Sequence, residues 1–474
     1  MWLARMLERL RDGELFVAGV SSGTSADGID VAIARITADF LHSGPSAPSS
    51  AGSPGTPTGR VTSGIIGEVE CLAFAVEPYE DNLRRRVRAV LDGRGDPAPG
   101  AEMLRGPDGP TWGPRELTLL SRDLGVAFGG AVSKLAREAG VELDLIGSHG
   151  QTVWHHDGDR AAGPASLQLG DGDFVAEAVA GDLPGVVPGD VRDPSGPAVV
   201  SDFRQRDLAA GGEGAPISGL ADPWLFARLP RPAAILNLGG MANVSFLADE
   251  PTAFDVGPAG SLLDGLARRL LGKAFDAGGR VAATGRVLDP WVREVLEHPF
   301  FAVAPPKSTG RDTFGEAWVD RVLARAQGMA RGGPLPDATG AAGATGADIL
   351  RSAVEVVARA VAGALGRYSD WGLPRPTELV LAGGGVHNET LVAALGESAG
   401  LPVTPSAAYG VDPDAREALA FAVLAAMAIS GSPTTDPAAT GAARGRTLGK
   451  ISPPPVPFRA GTYRIPGCGA SADR

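Results

Sequence analysis

A chain of 474 residues, 44% hydrophobic and 21% charged, is long enough to bury the cores of two globular domains, which excludes general disorder. Its 43 Lys and Arg against 55 Asp and Glu leave a formal charge of −12, which disfavours a nucleic-acid or anionic-membrane partner and suits a small neutral or metal-bound substrate. Two cysteines, Cys71 and Cys468, are too few for a disulfide framework or a cysteine zinc site, and no stretch reaches roughly 18 uninterrupted apolar residues, so a cytoplasmic protein is expected.

In chain order, residues 1–13 are arginine-rich and helix-like, without the apolar run of a signal peptide. Strands are predicted over residues 15–20 and 29–36, joined by the turn Gly23-Thr24-Ser25-Ala26-Asp27-Gly28, which leads into Ile29 and Asp30. Residues 39–63 carry almost no large apolar side chain and read as an exposed loop insertion, with shorter tracts of the same kind at 93–114 and 336–348. Apolar spacing near 3.6 predicts helices over 116–139, 261–271, 318–330, 349–368 and 416–430, and further strands fall at 143–146, 234–238, 244–247 and 378–382. Short apolar strands alternating with helices argue for an α/β fold with at least partly parallel sheets. The pattern strand, glycine-rich turn, strand occurs at residues 15–36 and again at 233–250. A separation of one domain length is expected of a duplicated domain whose two hairpins face each other across a cleft.

Glycine (67) and proline (39) together exceed a fifth of the chain, so their placement matters. In the first turn, glycines at both ends permit close backbone approach, Thr24 and Ser25 supply hydroxyls, and successive N–H groups form an anion-binding concavity. Asp27 or Asp30 could hold Mg²⁺ through water, although an ordinary hairpin turn accounts for this segment equally well by itself. The glycines join strands and do not open a helix, and no GxxxxGK[ST] occurs, so neither a P-loop nor a dinucleotide fingerprint is supported. Gly383-Gly384-Gly385 follows a buried-type strand and precedes a helical start near Asn388, which suits an adenosine or simply a tight strand-to-helix turn.

Asp202 follows the apolar run that ends at Val200, a placement that fits a general base kept ionised by Arg204 and Arg206, or else a surface salt-bridge cluster. His149, His155 and His156 share one segment whose spacing fits no metal site; His149 with Gln151 at a strand end is better suited to a polyhydroxyl ligand. Asp255 offers a carboxylate to a metal or phosphate site, and Lys307 to Arg311 form either a phosphate contact or a solvated loop.

The order of these motifs resembles the anhydro-N-acetylmuramic acid kinase family, within the actin and hexokinase superfamily of ATPases. GVSSGTSADGID, SHGQTVWH, SLQLGD, VVSDFRQRDLAAGGEGAPI, LNLGGMANVSFL, FDVGPAGSLLD, PPKSTGRDTF, LAGGGVHN, YGVDPDAREALAFAVLA and TGAARGRTLGKI follow one another in family order from Val17 to about Ile451. The resemblance implies two actin/hexokinase-like (ribonuclease H-like) domains, residues 1–215 and 216–474, with mixed sheets flanked by helices around an ATP cleft. It implies ATP and Mg²⁺ as cofactors and a small amino sugar as substrate, and it leaves a homodimer open. Water would open the 1,6-anhydro ring while O6 takes the γ-phosphoryl group, giving N-acetylmuramic acid 6-phosphate and ADP in cell-wall recycling.

By match to the motifs, Asp202 would be the general base, and Gly23 to Asp30 would cradle the ATP phosphates. Gly239 and Gly240 would lie opposite, with Gly383, Gly384 and Gly385 near adenosine. His149, Gln151 and Glu417 would contact the sugar, and Asp27 and Asp255 the metal. Two departures stand out: the family's GPGN reads Gly257-Pro258-Ala259-Gly260, and its DKDG reads Asp276-Ala277-Gly278-Gly279. The same phosphate turns also suit a kinase for another sugar or a carboxylate, or a non-catalytic actin-like scaffold.

Overall fold

A computed structural model describes residues 6, 8–9, 13–23, 28–37, 69–91, 104–106, 109–156, 163–181, 196–248, 251–332, 344–435 and 437–455. Thr24, Ser25, Ala26 and Asp27, the insertion at 39–63, and Cys468 lie outside them.

The first sheet contains β1 (Glu14–Ser22), β2 (Gly28–Thr37), β3 (Val69–Pro78), β4 (Leu145–His155), β5 (Ser166–Leu169) and β6 (Ala198–Ser201). β1, β2 and β3 form an antiparallel meander; β4 lies parallel to β1, β6 lies parallel to β4, and β5 folds back on β4. The second sheet repeats this plan with β7 (Ala233–Leu238), β8 (Met241–Leu247), β9 (Thr252–Pro258), β10 (Leu379–Ala382) and β11 (Val403–Pro405). Here β7, β8 and β9 make the meander, and β10 and then β11 add in parallel beside β7. The duplicated hairpin seen in the sequence thus belongs to two mixed α/β sheets, each flanked by helices, as the resemblance implies. One strand breaks the linear order: β12 (Lys450–Ser452) pairs antiparallel with β6, Lys450 opposite Ser201, so a segment far beyond residue 215 completes the first sheet.

Helices α1 (Asp81–Leu91), α2 (Pro114–Ala139) and α3 (Gly172–Ala180) cover one face of the first sheet. Helices α4 (Gly260–Leu271), α5 (Asp289–Leu296), α6 (Glu316–Gly332), α7 (Gly346–Gly366) and α8 (Glu389–Ser398) cover one face of the second. Between the sheets runs α9 (Arg416–Ser430), packed with Val17 and Leu145 of one sheet and with Ile235 and Val380 of the other. Its sequence is apolar on nearly every side, as a helix enclosed on all faces requires. In β1, successive residues serve different cores, Val17 the inter-sheet layer and Ala18 the layer under α2, so both faces are apolar and the strand reads as a continuous hydrophobic run.

The contact between α9 and the first sheet is backbone on backbone. A Cβ at Gly19 would stand 1.8 Å from the Ala418 carbonyl oxygen, and one at Gly147 would stand 2.1 Å from that of Phe421. The N-terminus of α9 is locked from the opposite side. Arg416, fully buried, donates through Nε to Asp222 Oδ1 at 2.9 Å and through Nη1 to Ser218 Oγ at 3.0 Å, with Asp222 equally buried. That lock fixes the adjacent Glu417.

Candidate active site

Parallel register brings the ends of β1 and β6 into line with an interior position of β4, with Val20 of β1 beside Ser148 of β4 and Ser148 beside Ser201 of β6. Asp202 follows immediately, two inter-strand spacings, about 10 Å, from the end of β1. It is the one non-glycine residue with positive φ among the described residues, at 56°, a conformation costing on the order of 1 kcal/mol that concentrates at functional sites. Its carboxylate is 25% exposed and accepts a hydrogen bond from Nζ of Lys450, which β12 delivers beside it. The cation paired with Asp202 is therefore Lys450, whereas neither flanking arginine is its ion-pair partner among the described residues. Lysine was missed because it lies 248 residues away.

Arg204 turns inward. Its Nη1 donates to the Gly214 carbonyl at 2.6 Å and its Nη2 lies 3.2 Å from His149 Nε2. Its charge is balanced by the fields of Asp255, Glu417 and Asp207, which come from different parts of the chain. The loop carrying Gly214 is braced by Asp207, which accepts the Gly214 N–H at 2.8 Å and the Thr440 hydroxyl at 2.6 Å.

The strand predicted over residues 143–146 continues through His155, carrying both predicted sugar residues. A bulge interrupts it at Gly150, whose φ of 76° suits glycine. His149 is buried and stacks flat on Phe421, with ring centroids 4.3 Å apart and planes 7° from parallel. Burial, then the Arg204 and His155 charges, hold its pKa well below the usual value. His155 is pushed down to about 2, chiefly by burial. Gln151 is fully buried: its Oε1 accepts from Ser22 Oγ at 2.7 Å and its Nε2 faces the Gly23 carbonyl at 3.4 Å. The structure thus places Gln151 as a brace on the first hairpin.

At that hairpin, Gly28 packs against β3, where a Cβ would stand 2.8 Å from Val76 Cγ1, and the Ile29 side chain lies in the core, leaving only its backbone for a ligand. Asp30 is pushed up to about 7, by burial first and then by the carboxylates of Glu417 and Asp414. Asp414 in turn accepts from His387 Nε2 at 2.8 Å, and the neighbouring Pro413 carbonyl accepts the Gly383 N–H at 2.9 Å. The loop entering α9 therefore bridges the first hairpin and the Gly383–Gly385 cluster. Gly383, at φ 82°, and Gly385 press on Asn237 and Leu238 of β7, whereas a Cβ on Gly384 would meet nothing within 4 Å.

Across the cleft, the carbonyls of Gly239 and Gly240 accept N–H groups from Gly260 and Ser261 at the start of α4, each at 3.0 Å. A Cβ at Gly260 would lie 3.0 Å from the Gly239 oxygen, so the glycine found in place of the family's Asn matches a close approach. Asp255 is buried and accepts the Thr309 N–H at 2.9 Å. Lys307 is buried and donates to the Phe300 carbonyl at 3.2 Å, with its ammonium 4.3 Å from the Phe300 ring centroid. Burial lowers its pKa to about 8.

Several buried polar atoms have no partner among the described residues: Ser21 Oγ and Ser148 Oγ on β1 and β4, Arg204 Nε, His149 Nδ1, Thr309 Oγ1 and Ser261 Oγ. Buried polar atoms left open in this number call for a polar ligand or water. The glycine turns and these atoms fit a phosphate-bearing nucleotide and a polyhydroxyl substrate. No group of three or more His, Cys, Asp or Glu converges among the described residues, which fits Mg²⁺ held mainly by phosphate and water. None of the described helices is long and apolar enough to cross a membrane.

The anhydro-N-acetylmuramic acid kinase family model matches residues 113–454. A protein of that name from Gloeobacter violaceus is 36% identical over 446 residues, covering 92% of this chain and 98% of its own. Namesakes from Salinibacter ruber and Bacillus cereus are 34% and 30% identical, covering 92% and 93% of this chain and 96% and 100% of theirs. Taken with the duplicated fold and the strand-end site, these matches place the chain in the anhydro-N-acetylmuramic acid kinase family.

Proposed function

We propose that the chain opens the 1,6-anhydro ring of 1,6-anhydro-N-acetylmuramic acid hydrolytically and phosphorylates O6 from ATP, as a cytoplasmic enzyme of cell-wall recycling with no nucleic-acid or membrane partner. The observation that carries this is Asp202: a strained, partly exposed carboxylate beside Lys450, one residue past Ser201, which lies in register with Ser148 beside His149 and through it with the end of β1 at the first glycine hairpin. Asp202 takes a proton from water as the water oxygen bonds to C1. The C1–O6 bond breaks, and O6 takes the γ-phosphoryl group, leaving N-acetylmuramic acid 6-phosphate and ADP. We take the two lobes as residues 1–215 and 216–474, the second lending β12 to the first sheet and placing α9 between the sheets.

We assign the turn at residues 23–30 and Gly239–Gly240 to the phosphates, Gly383–Gly385 to adenosine, and His149 and Glu417 to the sugar, with Gln151 supporting the first turn. Asp27 and Asp255 would hold Mg²⁺ through water, and the bound ion would supply charge neutralisation on the phosphates. Positioning and charge neutralisation are what phosphoryl transfer chiefly demands.

Incubation with the anhydro sugar, ATP and Mg²⁺ in isotopically labelled water tests this by mass spectrometry. Labelled oxygen is expected at C1 and unlabelled oxygen at O6, and Asp202→Asn is expected to lower turnover by about 100-fold or more. Near-normal turnover in that variant refutes the role of Asp202, and a product without label at C1 refutes the hydrolytic route.

A further inference from the structure

His149 and Arg204 meet in a way that determines where a proton sits. A guanidinium has donors only, so the Arg204 Nη2 at 3.2 Å obliges His149 Nε2 to accept. A buried imidazole beside a cation stays neutral. The remaining ring proton must then lie on Nδ1, the opposite of the tautomer a free imidazole prefers. Nδ1 is buried and has no partner among the described residues.

Each part of this arrangement is held from outside. The ring is pinned by its stack on Phe421 of α9, and the guanidinium by the Gly214 carbonyl on the loop that Asp207 braces. The Thr152 hydroxyl, 3.4 Å from Nε2, can add a second donor on the same side. The charged and titratable groups that face the pair are His155 on β4, Glu417 on α9, Asp255 on β9 and Asp207 on the loop. The three acids act on Arg204, while His155 acts on His149 and is itself lowered by Arg204.

We propose that Arg204 is a positioning residue that fixes His149 as a neutral imidazole with its proton on Nδ1, and that this Nδ1–H is the donor His149 presents to a neutral oxygen of the sugar. The second half rests on the sugar-kinase reading; the first half does not. The pairing keeps the proton on Nδ1 of a neutral ring, whereas an unguarded histidine would change charge in this pH range and, when neutral, could carry its proton on Nε2 instead.

The full chain, labelled with nitrogen-15 at its six histidines, is examined by two-bond proton–nitrogen correlation from roughly pH 5 to 8, with His149 assigned through His149→Gln. The expected spectrum shows Nδ1 protonated, Nε2 unprotonated and neither shifting across the range. A proton on Nε2, or a titration inside the range, overturns the assignment. In Arg204→Met, the KM for the anhydro sugar is expected to rise about tenfold near neutral pH, where the neutral ring can take the other tautomer, and to recover as pH falls and the ring regains its Nδ1 proton, with kcat and the KM for ATP changed less, and Arg204→Lys is expected to recover part of the loss. An unchanged sugar KM overturns the donor role even where the spectrum is as expected. If the wild-type chain does not turn over the anhydro sugar, the kinase reading falls while the spectrum still decides the tautomer.

Discussion

Replacing Arg416 with Met tests the lock that joins α9 to the segment around residue 222. Both partners of the Arg416–Asp222 pair are fully buried, and Ser218 takes a third guanidinium donor at 3.0 Å. Methionine retains most of the aliphatic stem, so the loss is electrostatic more than a cavity. Removing one member of such a pair strands the other charge and costs about 3–5 kcal/mol. At roughly 2–4 °C per kcal/mol for large domains, the melting temperature should drop by about 6 °C or more. The stranded Asp222 carboxyl, already pushed up by burial, would rise further. A carboxyl whose folded pKa exceeds its unfolded one contributes stability below the unfolded value and loses it as pH rises, so the variant should weaken from acid toward neutral pH. Urea and thermal unfolding of Arg416→Met, Asp222→Leu and the double variant measure all three effects. The double variant should be more stable than Arg416→Met, since no buried charge remains. A single-variant loss below about 1 kcal/mol, or a double variant no better than Arg416→Met, would refute the reasoning.

Asp30, raised from 3.8 to about 7, holds its proton more tightly when folded, so the ligand-free chain should lose stability from this group as pH rises through that window, by at most about 4 kcal/mol; Asp30→Asn should remove the slope in melts taken across the range. Lys450→Met should lower kcat/KM by about tenfold while moving the melting temperature by no more than about 3 °C, because an ion pair with its lysine 68% exposed contributes little to stability. Gly147→Ala should cost about 3 kcal/mol or prevent folding, because its Cβ would meet the Phe421 carbonyl at 2.1 Å; Gly130→Ala, on α2 with nothing within 4 Å, should instead stabilise by about 0.5–1 kcal/mol in the same assay.

The long helices and the strands that frame the two glycine turns were legible, whereas β3, ten residues long, and α1, eleven, fell outside the predicted elements. The α9 helix runs over residues 416–430 as its spacing predicts, and Asn388 caps α8, where the sequence marks a helical start. The glycine turns at β1–β2 and β7–β8 do join antiparallel strands. Strands β11 and β12, three residues each, are too short for any pattern, and β5 has only four. The longer error at β4 has a local cause. Its polar stretch SHGQTVWH sits where the strand turns from the core to the cleft, and the bulge at Gly150 breaks the alternation that would have marked it.

For the proposed site, residue type and the neighbouring apolar runs made Asp202 and His149 candidates, and the structure brings the segments that carry them side by side. What could not be read were pairings across long separations: Lys450 on Asp202, Asp414 with His387, and the four acids around Arg204 and Asp30. Such contacts arise from the register of β6 with β12 and from the entry of α9 between the sheets, neither of which leaves a local trace in composition.

The pairing of β12 with β6 also sets an order of completion. Every strand through β6 emerges from the ribosome long before residues 450–452, so one edge of the first sheet waits, with its backbone groups open, until nearly the whole chain has been made. The first glycine hairpin and β4 need nothing from that late strand, whereas Asp202 gains its lysine only when the strand docks. A chain nicked before Lys450 would therefore retain the first glycine hairpin and β4 but leave Asp202 without its lysine, separating the proposed nucleotide turn from the proposed base.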